Sequence, residues 1–540
     1  MLRQPNYIYG PNTALVPARL NFGEYMLQQL KKFDNNTVLI NAATEERISY
    51  SEILQQSMNF AISLTRMGVK KGDTIGLISE NRFEFWGATI GAACAGAVVS
   101  PISVGYVKGE LIHVLNISKP KYIICSPSLY KTHDKTIASM KFVKKVILFG
   151  DEKQNGTLSY NDMVIESNGV IKNVNYDEFR CVEVVGQIDP VFIMYSSGTT
   201  GLPKGVMITH LNILTLLCAR SFADPSTVLI SISPWYHAMG FVGCLNGFSN
   251  GLCFIYLPKF EIDLYLRTIE KFKVGQLTVV PSILVSICKH QTQKYDLSSV
   301  QFIMSGAAPL RKDTIAAVHE KFPNLVMVMQ GYGATELTLG VLGFFPDSAR
   351  HDKVGSVGVV VPNSVLKVAD LETGKPLGPN QRGELCVKGE LLMKGYLGRD
   401  RGDELDSEGF YRTGDIAYYD EDGYFFIVDR QKELIKYKGY QVPPAELEAV
   451  LLQHEGIRDA AVIGLEDKDA GELPLAFVVR LPGSNVTEKE VKDFVAERLS
   501  NPKHLRGGVR FVEEIPKTPS GKVMRTKLRK MLKNCTKSKL

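Results

Sequence analysis

The sequence lacks a strong charge of either sign. It has 63 Lys and Arg residues against 57 Asp and Glu residues, a formal net charge of +6 over 540 residues. So small an excess does not indicate binding to nucleic acid or to an anionic membrane. We therefore expect no nucleic-acid partner.

Long apolar runs are also missing. The most apolar tract, residues 87–105, is rich in small residues and is interrupted by Pro101, so it predicts a helix, a turn and a strand. Residues 1–10 are polar and lack the apolar core of a secretory signal. We expect no transmembrane segment and no secretory signal.

Paired cysteines are absent as well. The nine cysteines are scattered and form no CxxC motif. This pattern predicts reduced thiols and gives no indication of a zinc site.

What the chain does contain is the composition of a globular protein, with 45% hydrophobic and 22% charged residues. Its length predicts more than one hydrophobic core. Apolar β-rich runs alternate with helical stretches through most of the chain, which predicts an α/β fold with parallel sheets.

The pattern changes after Pro362. Short strands separated by Gly-rich or Asp-Gly turns predict a smaller β-rich unit, and residues 444–533 predict a compact α+β domain. The charged stretch from Asp429 to Gln431 is the expected hinge. We predict an N-terminal domain over 1–429 and a C-terminal domain over 430–540.

The segment SSGTTGLPKG, Ser196 to Gly205, follows the apolar strand PVFIMY. Its hydroxyls, glycines and lysine suit a loop that cradles phosphate, although a solvated turn is the alternative. The spacing fits neither the P-loop pattern nor GxGxxG.

This segment resembles the signature of the adenylate-forming superfamily, which includes acyl-CoA synthetases, 4-coumarate:CoA ligases and beetle luciferases. Further motifs of that superfamily follow in order: PWYHAMGF at 234–241, SGAAPL at 305–310, QGYGATE at 330–336, YRTGD at 411–415, VDRQKELIKYKGYQVPPAELE at 428–448 and PKTPSGK at 516–522. The resemblance implies a large N-terminal domain, a small mobile C-terminal domain, and activation of a carboxylate by ATP as acyl-AMP.

The resemblance also implies roles for individual residues. ATP would be bound by Ser196, Ser197, Gly198, Thr199, Thr200, Lys204, Gly306, Ala307, Gly331, Tyr332, Thr335, Asp415 and Arg430. Glu336 would bind Mg²⁺, and Asp415 with Arg430 would hold the ribose. Taken alone, Glu336 is a loop acid and Tyr332 a core residue.

Two catalytic steps follow from the same resemblance. Lys522 would bridge the carboxylate and the α-phosphate during adenylation, and His237 would contact the reacting oxygens or the incoming thiol. The acyl pocket would include His237, Ala238, Met239 and Arg220. After rotation of the small domain, coenzyme A would meet Lys436, Lys438, Gly439 and Gln441, with Lys436 acting in the thioester step.

The sequence most resembles the insect branch that holds luciferases and their fatty acyl-CoA synthetase relatives. We expect an ATP-dependent ligase joining a fatty or arylpropanoid-like acid to coenzyme A. A luciferin 4-monooxygenase-like enzyme is the alternative, and a catalytically silent adenylate- or acyl-binding protein is the third. Luciferases typically carry His-His-Gly-Phe where this chain has Tyr236, His237, Ala238 and Met239. Residues 395–409 depart from the family pattern, and we expect that departure to change a surface loop and not the chemistry.

The chain ends in Ser538-Lys539-Leu540, the tripeptide read by the peroxisomal import receptor. Polar residues from Lys533 onward predict that the last helix ends near Leu532 and leaves an accessible tail. We therefore expect a peroxisomal address.

Overall fold

The computed structural model describes residues 4–12, 19–154, 156–165, 173–196, 203–218, 227–306, 310, 312–345, 348–350, 352–438, 440–467, 469–499, 501–518 and 521–537. In these ranges the first part of the chain contains β1 Ile8–Tyr9, α1 Phe22–Phe33, β2 Thr37–Asn41, β3 Arg47–Ser49, α2 Tyr50–Arg66, β4 Thr74–Ile78, α3 Glu84–Cys94, β5 Val98–Ile102, α4 Lys108–Ser118, β6 Tyr122–Cys125, α5 Pro127–Ala138, β7 Lys145–Leu148, β8 Leu158–Ser159 and α6 Tyr160–Val164.

The middle of the chain contains β9 Pro190–Ser196, β10 Lys204–Thr209, α7 His210–Leu217, β11 Val228–Ser231, α8 Ala238–Ser249, β12 Cys253–Tyr256, α9 Ile262–Phe272, β13 Gln276–Val279, α10 Pro281–Lys289, β14 Phe302–Ser305, α11 Lys312–Lys321, β15 Met327–Gln330, β16 Leu342–Gly343, β17 Val359–Val360, β18 Ser364–Ala369, β19 Gly383–Gly389, β20 Gly395–Tyr396, β21 Tyr411–Tyr419 and β22 Phe425–Arg430. The last part contains β23 Ile435–Tyr437, β24 Tyr440–Val442, α12 Pro444–Leu451, β25 Ile457–Asp467, β26 Gly471–Arg480, α13 Glu488–Ala496, β27 Gly508–Phe511 and α14 Arg525–Lys537.

Two large sheets confirm the predicted α/β fold. One has the order β20-β10-β9-β5-β4-β6-β7-β8 and the other β15-β14-β13-β11-β12-β2-β3. Neighbouring strands are parallel except where β10 pairs with β9 and β20, and β3 with β2. Helices cover these sheets, so central strands such as Val98–Ile102 are completely buried.

The most apolar tract forms the predicted helix, turn and strand. Helix α3 ends at Cys94, the chain turns at Gly96 with φ +76°, and β5 follows. The small residues of α3 let it lie close against α2, because a Cβ on Gly91 would be 2.5 Å from the carbonyl oxygen of Ser57. Across the described residues, no helix is both long and apolar enough to span a membrane.

A third sheet is antiparallel, with the order β1-β18-β19-β21-β22, as the pattern after Pro362 predicts. A fourth contains β24-β23-β26-β25 with β27 beside β26, and belongs to the smaller C-terminal domain. The chain passes from the third sheet to the fourth between Arg430 and Ile435. The exact limits 1–429 and 430–540 stay a prediction.

The last helix corrects one expectation. Helix α14 runs from Arg525 to Lys537 instead of ending near Leu532. Residues 533–537 contain neither Gly nor Pro, so polar residues alone do not end the helix there.

Candidate functional site

Three predicted site segments meet at one edge of the second large sheet. Strands β11, β14 and β15 belong to its parallel set, and the carboxyl ends of parallel strands lie on the same side. Gly306 follows β14 and Gly331 follows β15, with Gly331 N–H donating to the Ser305 carbonyl at 3.1 Å. A Cβ on Gly306 would lie 3.9 Å from Cε of Met239. Ala307 lies outside the described residues.

The turn after β11 positions His237. Trp235 is fully buried, and its backbone N–H donates to Oδ1 of Asn81 at 2.9 Å. His237 then precedes α8, and its carbonyl accepts from Phe241 N–H at 2.8 Å. Gly240 has to be glycine, since a Cβ there would be 2.5 Å from the Pro234 carbonyl oxygen.

The His237 side chain is partly buried and places an unpartnered polar atom inside the protein. Among the described residues, no atom forms a hydrogen bond with its buried Nε2. Burial and the positive charge of Lys522 together lower the pKa of His237 to about 4. The imidazole is therefore neutral at pH 7 and free to bond to a ligand atom.

Asp415, Arg430 and Tyr332 form a second part of the site. Asp415 lies opposite Arg430 in the β21–β22 pair, with Arg430 Nε 3.1 Å from Asp415 Oδ1. Tyr332 Oη donates to Asp415 Oδ2 at 2.5 Å. Burial raises the pKa of Asp415, and the Arg430 charge opposes that rise. The contact joins the predicted adenine and ribose residues into one cluster.

The β9–β10 hairpin carries the phosphate-loop residues. Ser196 ends β9 opposite Lys204 at the start of β10. The predicted ATP-binding residues Ser197, Gly198, Thr199 and Thr200 lie outside the described residues. In the described ranges, buried Oγ of Ser196 has no hydrogen-bond partner. A buried hydroxyl of this kind suits a ligand acceptor.

Glu336 lies in a 3-10 helix, Thr335–Leu337, beside this hairpin. Its side chain is buried, and Oε1 accepts a hydrogen bond from Tyr396 Oη at 2.8 Å. The Tyr396 ring in turn lies under the Lys204 ammonium, 4.5 Å from Nζ to the ring centroid. Tyr396 was not predicted as a site residue, because a single tyrosine outside a motif usually belongs to the hydrophobic core. The departing stretch 395–409 includes β20 and the buried Tyr396 as well as loop residues.

Glu336 fits a magnesium site that has one protein carboxylate and takes its other ligands from water and substrate phosphates. No group of three His, Cys, Asp or Glu side chains in the described ranges is arranged to bind a metal ion. Mg²⁺ commonly binds through one or two carboxylates, water and substrate phosphates. A single carboxylate beside the phosphate-loop hairpin fits that mode.

The small domain contributes Lys522 to the same cleft. The negative charges of Asp415, Glu336 and Glu433 act on its ammonium. Desolvation by surrounding protein groups and the charge of Arg430 lower the pKa of Lys522, although its side chain is exposed to solvent. Lys522 and His237, 285 positions apart in sequence, thus meet at one site.

The predicted thioester loop is held elsewhere on the small domain. Lys436 N–H donates to Glu472 Oε2 and Lys438 N–H to the Ala470 carbonyl, both at 2.8 Å. Both lysine side chains are exposed. Gly439, the side chain of Gln441 and Arg220 lie outside the described residues.

Comparison with known proteins identifies the family. Residues 26–397 match the AMP-binding enzyme family, and residues 446–522 match the AMP-binding enzyme C-terminal domain. The chain is 43% identical to luciferin 4-monooxygenase of Nipponoluciola cruciata over 505 residues, 91% of each chain. It is 39% identical to 4-coumarate–CoA ligase 1 of Petroselinum crispum over 529 residues, 95% of this chain and 94% of the ligase.

Solved relatives share the overall fold. ATP-bound MatB from Rhodopseudomonas palustris is 29% identical and superposes with a TM-score of 0.83, covering 96% of this chain and all of MatB. Apo MatB, with the same coverage, gives 0.73. The chain thus superposes better on the ATP-bound form than on the apo form. The chain belongs to the AMP-binding family of adenylate-forming enzymes.

Proposed function

We propose that this protein is an AMP-forming acyl-CoA ligase. In the first half-reaction, a carboxylate oxygen of the acid attacks the α-phosphorus of ATP, and pyrophosphate leaves. In the second, the coenzyme A sulfur attacks the acyl carbon, its proton is lost, and AMP leaves. Fatty or arylpropanoid-like acids are the proposed substrates.

The proposal depends above all on Lys522 facing Asp415, Arg430 and Glu336. A carboxylate and a triphosphate repel each other, so their reaction needs fixed cations. Lys522 and Arg430 supply two, and Lys204 lies on the adjoining hairpin. Asp415 accepts hydrogen bonds from vicinal ribose hydroxyls and thereby orients the nucleotide.

Magnesium would be held by Glu336 and would neutralise phosphate charge when bound. The protein's own groups do the remaining work. Neutral His237 donates a hydrogen bond to the substrate carboxylate or accepts a proton from the thiol. Its partial burial keeps the imidazole in this neutral form at pH 7.

A second candidate is a luciferin 4-monooxygenase-like enzyme, favoured by the 43% identity to a beetle luciferase. Ala238 and Met239 oppose it, because they replace a Gly-Phe pair typical of luciferases. Met239 lies against the Gly306 position and therefore shapes the space beside His237. We place the ligase first.

One assay separates these functions. Purified protein is given ATP, Mg²⁺ and a panel of fatty and aromatic acids, with and without coenzyme A. We expect AMP, pyrophosphate and a CoA-dependent thioester, and very weak or no light with beetle luciferin and oxygen. Bright emission would instead support the luciferase. Nucleotide binding without pyrophosphate release would support the silent binding protein.

We also propose a peroxisomal location from Ser538-Lys539-Leu540, which lie outside the described residues. A fluorescent protein fused ahead of the chain is expected to co-localise with a peroxisomal marker. Deleting the tripeptide should make the fusion cytosolic without changing activity in lysate. Puncta that persist after deletion would contradict this address.

A further inference from the structure

The turn that presents Lys522 is tightly closed. Thr518 N–H donates to the Lys522 carbonyl at 2.8 Å, and Lys522 N–H donates to Thr518 Oγ1 at 3.1 Å. Lys517 pairs with Val523 across it, and Gly521 has φ +81°. These contacts join Lys522 to the segments before and after it, so the direction of its side chain depends on what holds those segments.

Arg525 holds the segment that leaves the turn. It is the first residue of α14, three positions after Lys522. Its Nη1 lies 2.6 Å from Glu433 Oε2 and its Nη2 lies 2.6 Å from Glu448 Oε1. Its Nε donates to the Val462 carbonyl at 3.2 Å. One guanidinium thus ties α14 to α12, to β25 and to the turn after β22.

The contacts of Arg525 are largely shielded from solvent, and its partner Glu448 has a further hydrogen bond. Only 11% of the Arg525 side chain and 15% of the Glu448 side chain are exposed. Glu448 Oε1 also accepts Val462 N–H at 2.8 Å. A buried pair with hydrogen bonds on both partners fixes geometry much better than an exposed one does.

Glu433 connects this network to the reaction cleft. Besides its pair with Arg525, its charge acts on Lys522, Asp415 and Arg430. Asp429, at the end of β22, accepts Ala445 N–H at 3.1 Å at the start of α12. The network therefore reaches from the Lys522 turn to the last strand of the large domain.

We propose that Arg525 is a positioning residue for adenylation, which fixes the turn carrying Lys522 by binding Glu433 and Glu448 at once. This inference rests on the proposed function, in which Lys522 serves only the first half-reaction. The planar guanidinium supplies two parallel attachments that an ammonium group does not reproduce. The thioester loop has its own contacts, to Glu472 and Ala470, and does not depend on Arg525.

The test measures the two half-reactions separately in Arg525→Lys and Arg525→Gln. Adenylation is followed by ATP–pyrophosphate exchange, and thioester formation by adding acyl-AMP and coenzyme A. A displacement of about 1 Å at a reacting group costs up to about 100-fold in rate. We expect adenylation to fall about 10- to 100-fold and the thioester rate from acyl-AMP to stay within about two-fold of wild type.

Arg350→Gln is the matched control. Arg350 also bridges two carboxylates, Asp352 at 2.6 Å and Asp422 at 3.1 Å, but its side chain is 45% exposed. We expect both half-reactions to stay within about two-fold of wild type. Glu433→Gln provides a second variant if Arg525→Gln does not fold, and it should lower adenylation selectively as well.

A Lys522→Ala background distinguishes positioning from general destabilisation. If Arg525 acts through Lys522, adding Arg525→Lys to Lys522→Ala causes little further loss of adenylation. Equal losses in both half-reactions, or fully additive losses, would overturn the inference while leaving the ligase proposal intact. A wild type that forms no acyl-AMP from any acid would overturn both.

Discussion

Acidification tests whether His237 works as a neutral imidazole. Burial and the Lys522 charge lower its pKa to about 4. At pH 5 a histidine of ordinary pKa, about 6.5, is about 97% protonated, whereas one with a pKa of about 4 is about 9% protonated. The fraction of active neutral imidazole should therefore change by only about 10% between pH 7.5 and 5.

The measurement is pyrophosphate exchange at subsaturating acid, in wild type and in His237→Asn, from pH 5 to 8. We expect the variant to lose about 100-fold at pH 7.5, the order typical for a group in proton transfer. The ratio of the two rates should stay nearly constant, because titrations elsewhere affect both proteins. His504→Asn, remote in the small domain and bonded to the Leu499 carbonyl at 3.0 Å, is the control.

One result would refute this reasoning. An ordinary pKa at His237 makes the wild-type advantage fall about 30-fold at pH 5. A ratio that collapses in this way would mean that the imidazole is not held neutral by its surroundings. NMR titration of His237 supplies an independent check, and its pKa should rise in Lys522→Ala because a positive charge is removed.

Three further outcomes are expected. Asp415→Asn should weaken ATP binding about 10- to 100-fold by calorimetry, since charge-assisted hydrogen bonds contribute about 1.5–3 kcal/mol each; unchanged affinity would contradict a ribose contact. Lys522→Ala should abolish most adenylation but spare thioester formation from acyl-AMP, and Lys436→Ala should do the opposite. Burial lowers the pKa of His210 to about 4, so its unfolded form gains a proton first as pH falls. Stability should drop by about 2 kcal/mol from pH 7 to 5 in urea unfolding, and a His210→Gln variant should lack that component.

The sequence predicted most of the architecture because its signals are local. Runs such as Val98–Ile102 are predominantly apolar, and strands of this kind lie inside parallel sheets. The capping box of α2 is equally local, with Ser49 Oγ accepting from Glu52 N–H at 3.2 Å. Polar residues after Leu532 gave the wrong helix end, since a terminus needs a specific stop signal.

Contacts between residues far apart in the sequence were harder to predict. The Tyr332–Asp415 hydrogen bond spans 83 positions and the Tyr396–Glu336 bond spans 60. Motif resemblance predicted that Tyr332 and Asp415 share a site, but Tyr396 carries no distinguishing local pattern. Arg525 was missed for a similar reason, because its partners come from three separate elements of the small domain.

The charges around Lys522 bear on its proposed role in adenylation. Arg430 and burial both oppose the charged form of Lys522, while Asp415, Glu336 and Glu433 favour it. A bound triphosphate adds several negative charges and so strengthens the docked position of the Lys522 turn. When pyrophosphate leaves, the attraction of its negative charges is lost, while Asp415, Glu336 and Glu433 still attract Lys522 and Arg430 still repels it. Departure of the first product therefore weakens the attraction that holds Lys522 in the cleft, in the direction that the proposed second half-reaction requires.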